Sequence, residues 1–61
     1  ESRPLADAIA AAKAVVEGDI VRVKVKRVKD RLAYEFKIIN AQGLVREVYV
    51  DPATLEILKI E

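Results

Sequence analysis

Four of the five carboxylate side chains in the second half of the chain are the first to consider for acid–base chemistry. They are Glu35, Glu47, Asp51 and Glu56. Catalysis by a carboxylate pair requires a pocket that shifts pKa values, and a chain of 61 residues leaves little volume for one. Glu35 and Glu47 are expected on the outward faces of paired strands, next to basic residues. Cross-strand charge pairs, each contributing a few tenths of a kcal/mol, are the ordinary explanation for such carboxylates.

Nucleophiles and metal ligands are scarce in this sequence. It contains neither histidine nor cysteine, so the usual neutral-pH base, the usual transition-metal ligands and disulfides are missing. Apart from tyrosines, the hydroxyl groups belong to Ser2, at a terminus expected to fray, and Thr54, in a predicted turn. Asp51 opens that turn, and its carboxylate is expected to accept hydrogen bonds from backbone N–H groups two or three residues on. The segment 51–56, DPATLE, offers too few oxygen ligands for calcium. We therefore predict no enzyme activity, no metal site and no cofactor.

A basic run from Arg22 to Arg31 holds six of the eleven lysines and arginines. On an extended strand, Arg22, Lys24 and Lys26 project from one face. This stripe could dock onto an acidic protein surface or onto anionic lipid. Nucleic acid is disfavoured, because no aromatic residue lies within the stripe and the net charge is only +1. A structural explanation competes with docking, since lysines on an edge strand prevent edge-to-edge pairing.

The elements that must position these side chains can be read from the periodicity. Over residues 4–17 apolar residues recur at three- and four-residue spacing, which predicts a helix that Pro4 begins and Gly18 ends. After Gly18 the period switches to two. The predicted strands span about 20–28, 32–39, 44–50 and 55–60. Turns this short, at 40–43 and 51–54, make neighbouring strands antiparallel.

We predict an α+β fold in which one N-terminal helix packs on an antiparallel sheet of three to four strands (α-β-β-β-β). One domain is expected over residues 1–61. The inner face of the sheet is expected to carry Val21, Val23, Val25, Tyr34, Phe36, Val48 and Val50. These residues are expected to meet the helix at Leu5, Ile9, Ala12 and Val16.

The opposite face of the sheet is expected to stay open. Alternation places Tyr49 and Val45 there, beside Ala33 and Ile39, as a modest apolar patch that could meet a partner or a second copy. Ordinary scattered surface residues are the alternative explanation. The candidate partner surface therefore comprises Arg22, Lys24, Lys26, Val45 and Tyr49.

Three stretches of the chain, in this order, resemble the PepSY domain. They are LADAIAAAKAVVEG, LAYEFKII and GLVREVYVDPATLEILKIE. The family occurs in propeptides of thermolysin-like metallopeptidases and in small secreted or membrane-anchored bacterial proteins. One position departs from the family pattern, which usually has glycine after the turn threonine where this chain has Leu55. Only the geometry of the turn is put in doubt.

The resemblance implies a helix-on-sheet fold in a periplasmic or extracellular setting. It also implies a role in binding or restraining a partner protein, with peptidase inhibition as the family's commonly proposed activity. We therefore expect a non-enzymatic interaction or regulatory module of the bacterial cell envelope, whose partner is a peptidase or another envelope protein. A self-associating homodimeric domain is the alternative. Because no apolar run approaches the ~20 residues needed to span a bilayer, membrane association is expected only through flanking segments.

Overall fold

One helix and four strands make up residues 3–61, the part of the chain that the computed structural model describes. Their bounds are Leu5–Val15 for α1, Asp19–Val28 for β1, Arg31–Ile39 for β2, Val45–Val50 for β3 and Ile57–Ile60 for β4. Each strand pairs antiparallel with the next, so the sheet order is β1-β2-β3-β4, and β1 and β4 lie at the edges. The predicted α+β fold is confirmed. The expectation that Ser2 frays lies outside the described residues.

The alanines of α1 favour helix formation and allow the helix to pack closely on the sheet. Alanine has the highest intrinsic helix propensity, and the helix segment LADAIAAAKAV is rich in it. Ala8 and Ala12 are fully buried, and their small side chains let the helix approach β2 and β3 closely. The core cluster consists of Ala8, Ala12, Val16, Phe36, Ile38, Val48 and Val50. Ile9 and Tyr34 pack against this cluster and are partly buried.

The valines of β1 lie outside the core, and the prediction that they line it is wrong. Val21, Val23 and Val25 are 56%, 41% and 61% exposed. The pairing of Val23 with Phe36 and of Val25 with Tyr34 does place both valines on the helix side of the sheet. The helix, however, packs over β2 and β3 and leaves these valines exposed, whereas Ile20 at the start of β1 packs against the core. Leu5, also predicted to face the core, is 44% exposed.

Gly18 has a different role from the helix stop that the sequence suggests. The helix ends at Val15, and Val16 is already extended, with φ −135° and ψ 121°. Gly18 lies beyond it with φ +138°, and a Cβ there would be 2.4 Å from the carbonyl oxygen of Ile39. Glycine is therefore required because the chain turns into β1 against the backbone at the end of β2.

The turn between β3 and β4 depends on Asp51, as predicted. Its Oδ1 accepts hydrogen bonds from the backbone N–H groups of Ala53 and Thr54, at 2.8 and 3.0 Å, and its Oδ2 accepts one from Arg31. The bond from Thr54, then those from Arg31 and Ala53, lower the pKa of Asp51 to about 2. Leu55 completes the turn with φ 66°, the left-handed conformation that glycine would adopt without strain, at a cost of about 1–2 kcal/mol.

Candidate interaction surface

The strand β1 is a ten-residue edge whose backbone is paired on one side only. It pairs with β2 along its length, with one bulge between Ile20 and Arg22. Among residues 3–61, no strand pairs with its other side. Alternate N–H and C=O groups of an edge strand point away from the sheet, so β1 presents a row of free donors and acceptors.

The predicted basic stripe lies on the face of β1 opposite the helix. In register with β2, Arg22 lies opposite Lys37, Lys24 opposite Glu35 and Lys26 opposite Ala33. All three basic residues are exposed. Lys26 lies 3.6 Å from a carboxylate oxygen of Glu35, whereas Arg22 and Lys24 form no ion pair with any described residue. The stripe therefore contains two cations that are available to a partner.

Tyr49 does not contribute the exposed patch that the sequence predicts on this outer face. Its side chain is only 5% exposed, and its hydroxyl donates a 3.0 Å hydrogen bond to Oε2 of Glu35, itself 4% exposed. The Lys59 ammonium lies 5.0 Å from the centre of the Tyr49 ring. Long side chains from neighbouring strands thus cover the ring. Val45, at the other end of β3, is 50% exposed as expected.

Glu35 lies on the outer face and forms a cross-strand charge pair with Lys26, as predicted, but it is buried rather than solvent-exposed. Alternation alone could not reveal this, because Glu35 and Tyr49 belong to different strands. The register that places them opposite each other supplies the missing signal. Burial acts to raise the pKa of Glu35, but the Tyr49 hydroxyl and the Lys26 charge outweigh it, and the net pKa lies below its ordinary value.

The pKa of Tyr49 moves in the opposite direction from that of Glu35. Burial, followed by the hydrogen bond to Glu35, raises the pKa of Tyr49 to about 12. Glu35 therefore stays ionised and Tyr49 stays protonated at neutral pH. Acid–base catalysts need pKa values near the working pH. The pKa values of both groups are shifted away from neutral pH, which favours a structural role for this hydrogen bond over a catalytic one.

Replacing Tyr49 with phenylalanine is expected to lower the free energy of unfolding by about 1.5–3 kcal/mol, the usual contribution of a hydrogen bond to a charged group. A raised tyrosine pKa stabilises the fold below the unfolded value of about 10, and this stability is lost as pH rises toward 12. Urea unfolding at pH 7 and across pH 10–12 should show the loss in the wild type and a flatter curve in Tyr49→Phe. The Tyr34 hydroxyl donates no hydrogen bond to a described side chain, so Tyr34→Phe is the matched control. Equal effects of both changes would contradict the pairing.

The fold defines the class of the protein. It is a small α+β domain in which one helix packs on one side of the sheet and the basic edge strand β1 exposes its valines and cations. The chain belongs to the PepSY family, because the family model described as peptidase propeptide and YPEB domain matches residues 4–61. The resemblance predicted from the sequence is thus confirmed. A comparison with curated proteins finds no match, and a comparison with solved structures finds none.

Membership of this family supplies a general setting for the domain. PepSY domains are associated with peptidases and occur in secreted or envelope proteins, and a regulatory module fits that association. Within residues 3–61, no helix has the length and apolar character to cross a membrane.

Proposed function

We propose that this domain is a non-enzymatic interaction module of the bacterial cell envelope that restrains or inhibits a peptidase. The observation that carries the proposal is the family match, which spans nearly the whole chain and whose description names peptidase propeptides. In this proposal the domain acts by covering part of the peptidase surface. The domain would accordingly work in the periplasm or outside the cell.

The contact surface is proposed to be the basic stripe together with Val45. Arg22 and Lys24 are exposed and free of ion pairs with described residues, and Val45 adds half-exposed apolar area on the same outer side of the sheet. Tyr49 has a supporting role, because its hydrogen bond holds Glu35, which in turn holds Lys26. Charges at an interface act on the rate of encounter and on partner choice more than on affinity alone.

The absence of catalysis is part of the proposal. The chain has no histidine or cysteine to act as base or nucleophile. Among residues 3–61, the groups with shifted pKa values are Glu35, Tyr49 and Asp51, and each shift follows from burial or from structural hydrogen bonds. None of the three pairs a nucleophile with a base near neutral pH.

A homodimeric structural domain is the alternative function. The exposed valines of β1 favour it, because a second copy would cover them. The stripe on the other face of the same strand opposes it, since two copies paired through β1 would bring their cations together. Sedimentation velocity over a wide concentration range separates the two, and a dimer at micromolar concentration would favour the alternative.

Adding the wild-type domain to an envelope extract from the producing cells is expected to lower the hydrolysis of a fluorogenic peptide. Arg22→Glu should raise the concentration needed for half-inhibition about tenfold, because it reverses an exposed cation of the stripe. This variant should fold normally, since Arg22 lies opposite Lys37 and the new charge is attractive there. Lys13→Glu makes the same charge change at an exposed position of α1 and is the matched control. If the wild-type domain leaves peptidase activity unchanged, the proposed function is wrong.

A further inference from the structure

We propose that β1 accepts an additional strand from the partner, and that this strand alternates acidic with apolar residues. The inference rests on the proposed function and names the chemistry of the partner segment. It follows from three features of β1: its unpaired backbone edge, its bare valines and its basic stripe.

The backbone of β1 offers a long template for strand addition. The strand runs for ten residues from Asp19 to Val28 and contains no proline. Proline and short length, two common ways of blocking an edge, are absent from β1. A bulge between Ile20 and Arg22 interrupts the first residues, so the regular template is residues 22–28, and its lysines disfavour an added strand of like charge. An extended segment laid along this edge would form the main-chain hydrogen bonds that give such complexes their affinity.

The two faces of β1 specify which side chains the added strand should carry. On the helix side Val23 and Val25 are exposed, and apolar side chains of an added strand would cover them. On the outer side Arg22, Lys24 and Lys26 recur every second residue, about 7 Å apart. Acidic side chains at every second position of the added strand would lie beside these cations.

The same charges disfavour a second copy of this chain as the occupant. Two β1 strands side by side would place arginines and lysines next to one another, and like charges on neighbouring strands are destabilising. Within β1 the only acidic residue is Asp19, at its first position. The edge therefore discriminates between strands by charge, rejecting its own sequence and admitting an acidic one.

A capped seven-residue peptide in which three glutamates alternate with two valines, between terminal glycines, is the probe for this inference. Titrated into the ¹⁵N-labelled domain, it should shift the amide resonances of β1 and slow the hydrogen exchange of the outward N–H groups of β1. Arg22→Glu should weaken binding about tenfold, and Lys13→Glu, which also takes the net charge from +1 to −1, should leave binding within about twofold.

Two further peptides separate strand addition from general charge attraction. One has the same composition with its three glutamates adjacent, and the other carries N-methyl groups on the amides that would face β1. Both are expected to bind at least about tenfold more weakly, because they lose the side-chain alternation or the main-chain hydrogen bonds.

Equal binding of all three peptides, or resonance shifts confined to residues outside β1, would overturn the inference. Concentration-dependent dimerisation through β1 in the absence of peptide would overturn it in favour of a second copy. Failure of the peptide while the domain still inhibits the peptidase would refute strand addition alone. Absence of inhibition would refute the proposed function itself.

Discussion

Gly18→Ala is expected to leave most of the domain unfolded under native conditions, whereas Gly43→Ala is expected to leave it folded. An added Cβ at Gly18 would lie 2.4 Å from the Ile39 carbonyl oxygen and 2.9 Å from Cγ2 of Ile38. The first of these contacts is with backbone, which cannot rotate away. The φ of +138° is also a conformation that alanine rarely adopts.

The steric contact and the backbone strain together should lower the free energy of unfolding by about 2–6 kcal/mol. A strained backbone costs about 1–3 kcal/mol, and overpacking costs about 1–3 kcal/mol. A core of this size rarely supplies more than about 3–5 kcal/mol of stability. The variant is therefore expected to lose its near-ultraviolet circular dichroism and its dispersed amide resonances.

Gly43 is the matched control for this change. It also has positive φ, at +83°, but an added Cβ would meet nothing within 4 Å. Only the left-handed strain remains, about 1–2 kcal/mol. Urea unfolding should show a reduced midpoint for Gly43→Ala with the fold retained. A folded Gly18→Ala variant as stable as Gly43→Ala would contradict the close approach of residue 18 to β2.

Local signals in the sequence are sufficient to predict the elements of this fold. The alanine-rich helix, the four strands and the turn at Asp51 each depend on residues close together in the chain, and all are present in the structure. The sequence also predicts a structural role for Gly18, but as the end of the helix, and it does not reveal why glycine is needed there. That reason lies in a contact with Ile39, which belongs to another strand.

The side of a strand could be predicted, but what covers that side could not. Alternation places Val25 on the helix side and Tyr49 on the outer side. The structure nevertheless exposes Val25 and buries Tyr49. Coverage depends on where α1 crosses the sheet and on which side chains of neighbouring strands lie opposite one another. Both are properties of the assembled fold. The basic stripe is exposed and Tyr49 is buried, and the binding role of the stripe stays a prediction.

Phe36→Ala is the second change expected to have a large effect, and Val25→Ala tests the reason for it. Both residues lie on the helix side of the sheet, Phe36 on β2 and Val25 on β1. Phe36 is fully buried beneath α1, with its ring centre 5.9 Å from that of Tyr34. Truncating such a residue removes about 3–5 kcal/mol, so Phe36→Ala should be largely unfolded.

Val25→Ala should reduce the free energy of unfolding by no more than about 1 kcal/mol, because the side chain is 61% exposed and only its strand propensity is lost. Urea titration followed by circular dichroism measures both variants on the same scale. The ratio of the two effects reports how far α1 extends across the sheet. Comparable losses would mean that the helix, or a second copy, covers β1 in solution, and the edge strand would then be unavailable to a partner.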